Sequence, residues 1–105
     1  MQELLAKVEG LLRRLFPTRA SFADGSYVEY LNREAVLYSE KDGHRMEVVW
    51  FFNPNRVRGR LLSRQDINSW DSPHEHEPIN DAKRKEIERK LVQYCNKRNI
   101  PLEII

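Results

Sequence analysis

The run "HRMEVVWFF", His44–Phe52, leaves the chain little choice of architecture. Alternation places Met46, Val48, Trp50 and Phe52 on one face and Glu47, Val49 and Phe51 on the other. A strand apolar on both faces is expected at the centre of a sheet, with a layer packed on each side. Such a strand cannot stand alone, so the neighbouring segments must supply partners and cover.

The flanking patterns do so. "SYVEYL" (Ser26–Leu31) and "EAVLYSE" (Glu34–Glu40) read as two strands joined through Asn32-Arg33. Asp42-Gly43 then predicts a type I′ hairpin turn into the central run, because both residues tolerate positive φ. "NPN" (Asn53–Asn55) is a turn, and "RVRGRLLS" (Arg56–Ser63) alternates basic and apolar residues as a fourth strand. Helices bracket the strands. Leu4, Leu5, Val8, Leu11, Leu12 and Leu15 draw one stripe over residues 2–15, ended by Phe16-Pro17. Near the other end, Asn80 or Asp81 can cap a helix whose buried stripe is Ala82, Ile87, Leu91, Tyr94 and Cys95. Asn99 is a C-terminal stop, and "IPLEII" (Ile100–Ile105) reads as a short strand rejoining the sheet. The expected fold class is α+β: an N-terminal helix, a four-stranded antiparallel meander, a C-terminal helix and a short final strand. Residues 1–105 are expected to form a single α+β domain.

Charged residues make up 32% of the chain, yet the formal net charge is only +2, so the total does not demand a nucleic-acid partner. No apolar run approaches the ~18 residues of a membrane span, and Glu3 and Glu9 argue against a targeting segment. A membrane partner is not expected. The single cysteine, Cys95, cannot form an internal disulfide and lies on the helical stripe, where it reads as a small buried hydrophobe. A reducing, cytoplasmic setting follows as the default.

Two stretches offer candidate contacts. The loop "SWDSPHEHEPI" sets Trp70 and Asp71 just before Pro73 and packs His74, Glu75, His76 and Glu77 between Pro73 and Pro78. His74 and His76 with a carboxylate from Asp71, Glu75 or Glu77 resemble a metal ligand set, but His-x-His lacks the fixed helical spacing of stronger motifs, and nothing in the sequence brings His44 close. The plain reading is a stiff connection in which Trp70 plugs the sheet–helix junction and Ile79 staples the helix start. A rigid loop of this kind also suits docking on a protein partner, and its histidines titrate near neutral pH. The second stretch is the row Arg56, Arg58 and Arg60, extended by Arg64. On a regular strand these project one way, able to fork onto phosphate or carboxylate, or to pair with Glu29, Glu34, Glu40 or Glu47 on neighbouring strands. The basic run Lys83–Lys90 reads as a solvated helix face.

No glycine-rich phosphate loop, nucleophile elbow or cysteine pair is present, so no catalytic residue and no cofactor is expected. A hydrolase would have to be assembled from the His/Glu loop and an arginine. The segment Ile67–Ile79, "INSWDSPHEHEPI", followed by the basic helix with Arg84 and Ile87, resembles small bacterial immunity proteins of polymorphic toxin systems. There a meander leads to a tryptophan, a proline- and acid-containing loop ending in isoleucine, a helix and a short strand. The likeness covers about the last forty residues and carries to Trp70, Pro73, His74, Glu75, Glu77 and Ile79 without a role for each. It implies a non-enzymatic protein that binds and blocks a toxin domain. A nucleic-acid-binding domain using the arginine face is the alternative, and a small hydrolase the second alternative.

Overall fold

Residues 45–52 are extended, as their alternation requires, but Trp50 divides them between two sheets. The structure is a computed structural model that describes residues 19–105; the helix expected over 2–15 lies outside them. Four strands, β1 (Arg19–Ser21), β2 (Tyr27–Asn32), β3 (Ala35–Ser39) and β4 (Arg45–Val49), form an antiparallel sheet in the order β1-β2-β3-β4. A second sheet, in the order β5-β6-β7, is built from β5 (Phe51–Phe52), β6 (Arg60–Leu62) and β7 (Leu102–Ile104). β5 and β6 are antiparallel, whereas β6 and β7 are parallel. Helix α1 (Asp81–Lys97) lies between β6 and β7 and supplies the long connection that a parallel pair requires.

The α+β class, the four-stranded antiparallel sheet, the C-terminal helix and the short last strand agree with the sequence reading. Strand membership does not. The fourth strand of the meander is β1, three residues long, which the sequence pattern passes over. The expected strand over 56–63 shrinks to β6, and the final strand joins β6 in the second sheet. β4 lies at an edge of its sheet's hydrogen-bonded order, not at its centre.

One face of the meander carries the core. Val28, Val36, Tyr38, Met46, Val48 and Trp50 pack with Leu62, Ile67, Trp70 and the helix residues Ile87, Leu91, Tyr94 and Cys95. Burying each such aliphatic side chain is worth about 1.5–3 kcal/mol, so a single covered face is enough to fix the register of β4. Phe52 departs from the expected face. The chain bends at Trp50, whose indole N–H donates to the Arg33 carbonyl at 2.9 Å and whose backbone N–H donates to Glu34 O at 2.9 Å. Phe51 and Phe52 then pair with Leu61 and Arg60 instead of continuing along β3, and both are 62% exposed. Val49, on the other face of β4, is exposed as well.

The turns follow local chemistry. Asn32 Oδ1 accepts from Glu34 N–H at 2.8 Å, so the β2–β3 turn is centred on Arg33-Glu34, one residue later than expected. In the β3–β4 turn only Gly43 has positive φ, at +99°, while Asp42 does not, so this is not the expected type I′ turn. Asp42 Oδ1 instead accepts from the backbone N–H of His44 at 3.0 Å. Asn80 caps α1 by accepting from Lys83 N–H at 2.8 Å, and Asn99 takes φ +57° just beyond the last turn, both as the sequence indicates.

Candidate functional site

The loop that follows the 3-10 turn (Arg64–Asp66) is tied down from its first residues. Trp70 is 6% exposed and packs in the core. Its ring stacks near Tyr38 at 6.2 Å between centroids and meets the edge of His44 at 5.1 Å. Asp71 N–H donates to the Arg45 carbonyl at 2.8 Å, anchoring the loop to β4. Two successive turns follow, with His74 N–H on Asp71 O at 2.9 Å and Glu77 N–H on His74 O at 3.0 Å. They set His74 and Glu77 side by side, over the start of β4.

There the loop meets His44. The imidazoles of His44 and His74 stack with centroids 3.7 Å apart and planes 20° from parallel. Glu77 receives both: its carboxylate lies 3.0 Å from His44 Nε2 and bonds His74 Nδ1. The other ring nitrogen of His44, Nδ1, is 2.8 Å from Asp42 Oδ1. The hydrogen bond to Glu77, then that to Asp42, raises the His44 pKa above the ordinary imidazole value. In return Glu77 is held low by its bonds to His44 and His74, and Asp42 by the backbone and side chain of His44. The sequence placed His74 and Glu77 in one loop but gave no partner from the hairpin. The useful signal was "DGH": a turn that ends on a histidine beside the loop's anchoring strand.

The remaining loop residues point away. His76 is 93% exposed in its side chain and comes no nearer to an acid than 3.9 Å, from Glu75. Asp71 and Glu75 are exposed.

The arginines do not form one row. Residues 53–59 form a loop, with Asn53 N–H bonded to Gly59 O at 3.0 Å and Gly59 N–H to Arg56 O at 3.0 Å. Arg58 sits at φ +62°, which no regular strand allows. A Cβ on Gly59 would lie 2.6 Å from the Cβ of Arg56, so only glycine fits this closure. Arg60 folds back on its own segment, donating to the carbonyls of Arg58 and Gly59 at 3.0 and 3.1 Å, with its guanidinium 4.5 Å over the Phe52 ring. Arg64 bonds Glu88 on α1 at 2.6 Å and so leaves the patch. Arg56 and Arg58 remain exposed, beside Val57 at 90% exposure.

A third arrangement was not foreseen. Lys90, expected on a solvated face, is 1% exposed. Its Nζ donates to Asp24 Oδ2 at 2.6 Å, Ser26 Oγ at 2.7 Å and Glu86 Oε1 at 3.0 Å. This ties α1 to the β1–β2 turn. Two carboxylates on one ammonium make it a structural ion cluster, not a base for Ser26. Cys95 is buried, and burial pushes its thiol up to about 12, as befits a packing residue.

The described residues thus form an α+β domain with a histidine-bearing loop docked on its sheet and an open aromatic end. The chain belongs to the Immunity protein 74 family, whose model matches residues 38–105. The match runs from the last two residues of β3 through β7 and takes in the whole loop, in agreement with the resemblance read from Ile67–Ile79, and it assigns a toxin-immunity role at the level of the family. No curated protein and no solved structure matches the chain. Among the described residues, no helix is long and apolar enough to cross a membrane.

Proposed function

We propose that the protein binds a toxin domain and blocks it without chemistry of its own, through the aromatic and arginine side chains at the β4–β5 corner and the loop after β5. One observation carries the choice of surface: Phe51 and Phe52 stand next to each other, each 62% exposed. Val49, 43% exposed, lines the same hollow as Phe51 and Phe52, and Arg56, Val57 and Arg58 are exposed in the loop that follows β5. Aromatic residues and arginine are the types that anchor protein interfaces once water is excluded. Membership of an immunity family supplies the kind of partner. Trp70 is 6% exposed and packs in the core beneath the loop, whereas Asp71, Glu75 and His76 are exposed.

The test is co-expression with the toxin encoded by the neighbouring reading frame, read as growth rescue, together with calorimetric binding to the isolated toxin domain. The wild-type chain should rescue growth. A Phe51→Ser/Phe52→Ser double variant should keep its circular dichroism spectrum and lose about 100-fold in affinity, the scale of two anchor residues. Unchanged affinity would show that the contact lies elsewhere, and failure of the wild-type chain to rescue would overturn the blocking role. The nucleic-acid alternative has less support, because Arg60 and Arg64 are engaged within the fold. Oligonucleotide binding that falls steeply with salt and survives loss of both phenylalanines would restore it.

A further inference from the structure

One ligand atom each from His44, His74 and Glu77 lies within 4.8 Å of the other two, although the hairpin turn and the loop that supply them are about thirty residues apart. We propose that these three side chains bind one Zn2+ ion, with the fourth position open to solvent. The donor set is the first reason. Two imidazoles and one carboxylate suit a borderline cation such as zinc and leave a vacant corner of its tetrahedron. Hard cations that demand oxygen ligands would find only one here.

The second reason lies behind the donors. Metal-bound histidines commonly donate their other ring N–H to a carboxylate, which fixes the tautomer and the ring orientation. Asp42 occupies that place behind His44, 2.8 Å from Nδ1, and is itself held by the His44 backbone N–H at 3.0 Å. With Nδ1 committed to Asp42, Nε2 is the nitrogen turned toward Glu77. The edge of Trp70 sets the plane of His44; the His74 ring, stacked 3.7 Å from it and within 20° of parallel, rotates out of that stack for both nitrogens to point at one ion. His74 and Glu77 are placed by the consecutive turns of the loop. The donors are therefore brought together by the backbone turns, the Trp70 edge and an outer carboxylate, and the ion itself sets the final angle of the His74 ring. His76 has none of this support.

The ion would join the β3–β4 turn to the loop, in the same place as the hydrogen bonds that Glu77 now makes to the two rings. It acts on the loop's stability and is independent of where the toxin binds.

Chelator-stripped full-length protein is titrated with Zn2+ in competition with a chromophoric chelator, and its thermal midpoint is followed with and without the ion. One equivalent should bind, in the micromolar range or tighter, with a rise in midpoint that grows with free Zn2+; Mg2+ should do neither. Co2+ in place of Zn2+ should give the intense visible absorption of a four-coordinate site. Glu77→Gln and His74→Ala, both on the exposed loop, should each lower affinity by at least about ten-fold, Asp42→Asn by about 10–100-fold, and His76→Ala should leave it unchanged. Absence of binding to the wild-type chain would overturn the proposal. So would affinity that survives in Glu77→Gln and His74→Ala, or that depends on His76, since either result describes adventitious surface chelation.

Discussion

At position 90 a lysine sits in the core with its ammonium held by Asp24, Ser26 and Glu86. The two acids are partly in water, so they can resolvate if the lysine is lost, whereas the space its stem fills cannot. Lys90→Ala should therefore cost about 2–5 kcal/mol, and Lys90→Met clearly less, by urea unfolding. The same cluster fixes an acid limb. Hydrogen bonding to Lys90 is the main cause that holds both Asp24 and Glu86 below the ordinary carboxylate range. Groups depressed in this way contribute stability above their unfolded pKa, near 4, which is lost as pH falls through the folded values. The thermal midpoint should drop below about pH 4, and Lys90→Met should flatten that drop; above the ordinary imidazole value it should decline again as pH rises through the raised His44 pKa. A charge pattern alone could not announce this lysine, because "KRKEIERK" reads as a solvated face unless Asp24 is known to lie above it. Cys95 was legible, since its helical spacing from Leu91 and Ile87 put it inside. Its thiol should resist a disulfide reagent in the native protein and react only as the chain unfolds, measured by coupled absorbance and circular dichroism. Tyr94 is buried with a hydroxyl that finds no partner among the described residues, and burial pushes its pKa up to about 12. Tyr94→Phe should leave stability unchanged or raise it by about 1 kcal/mol.

Elements were legible where one force dominated. In α1 the cap, the apolar stripe and the stop coincide, so its bounds could be read from Asn80, Ile87, Leu91, Tyr94 and Asn99. Asn80→Ala should lower stability by about 1 kcal/mol through loss of the bond to Lys83 N–H, visible as a small shift in thermal midpoint. β4 was equally clear from Met46 and Val48. The segment 53–63 misled because alternation of arginine with Val57 and Leu61 resembles a strand, while Asn53 and Gly59 close a loop that alternation does not register. Side-chain bonding within that loop, with Asn53 Oδ1 on Asn55 N–H at 3.0 Å and Nδ2 on Glu103 at 3.1 Å, overrides the pattern. Gly59→Ala should destabilise the protein, because the added methyl meets backbone-bound atoms of Arg56 and cannot be accommodated by a flexible side-chain end. The candidate site was half legible. His74 and Glu77 stood out by composition, but the contribution of His44 depends on how the loop returns across β4, a tertiary fact.

Across the whole molecule, the two sheets share one core but differ in how far apart along the chain their partners lie. The meander joins neighbours in order, from β1 to β4. β6, by contrast, waits for β7, about forty residues further on, and Arg60 N–H reaches the Pro101 carbonyl at 2.8 Å. Pairings across long stretches of chain pay their closure entropy before any contact rewards it. Synthesis from the amino end thus delivers a nearly finished meander while the sheet bearing Phe51 and Phe52 still lacks its last strand. The end of the molecule proposed to bind would therefore be completed only once residues 102–104 have been made, later than the meander that supports it.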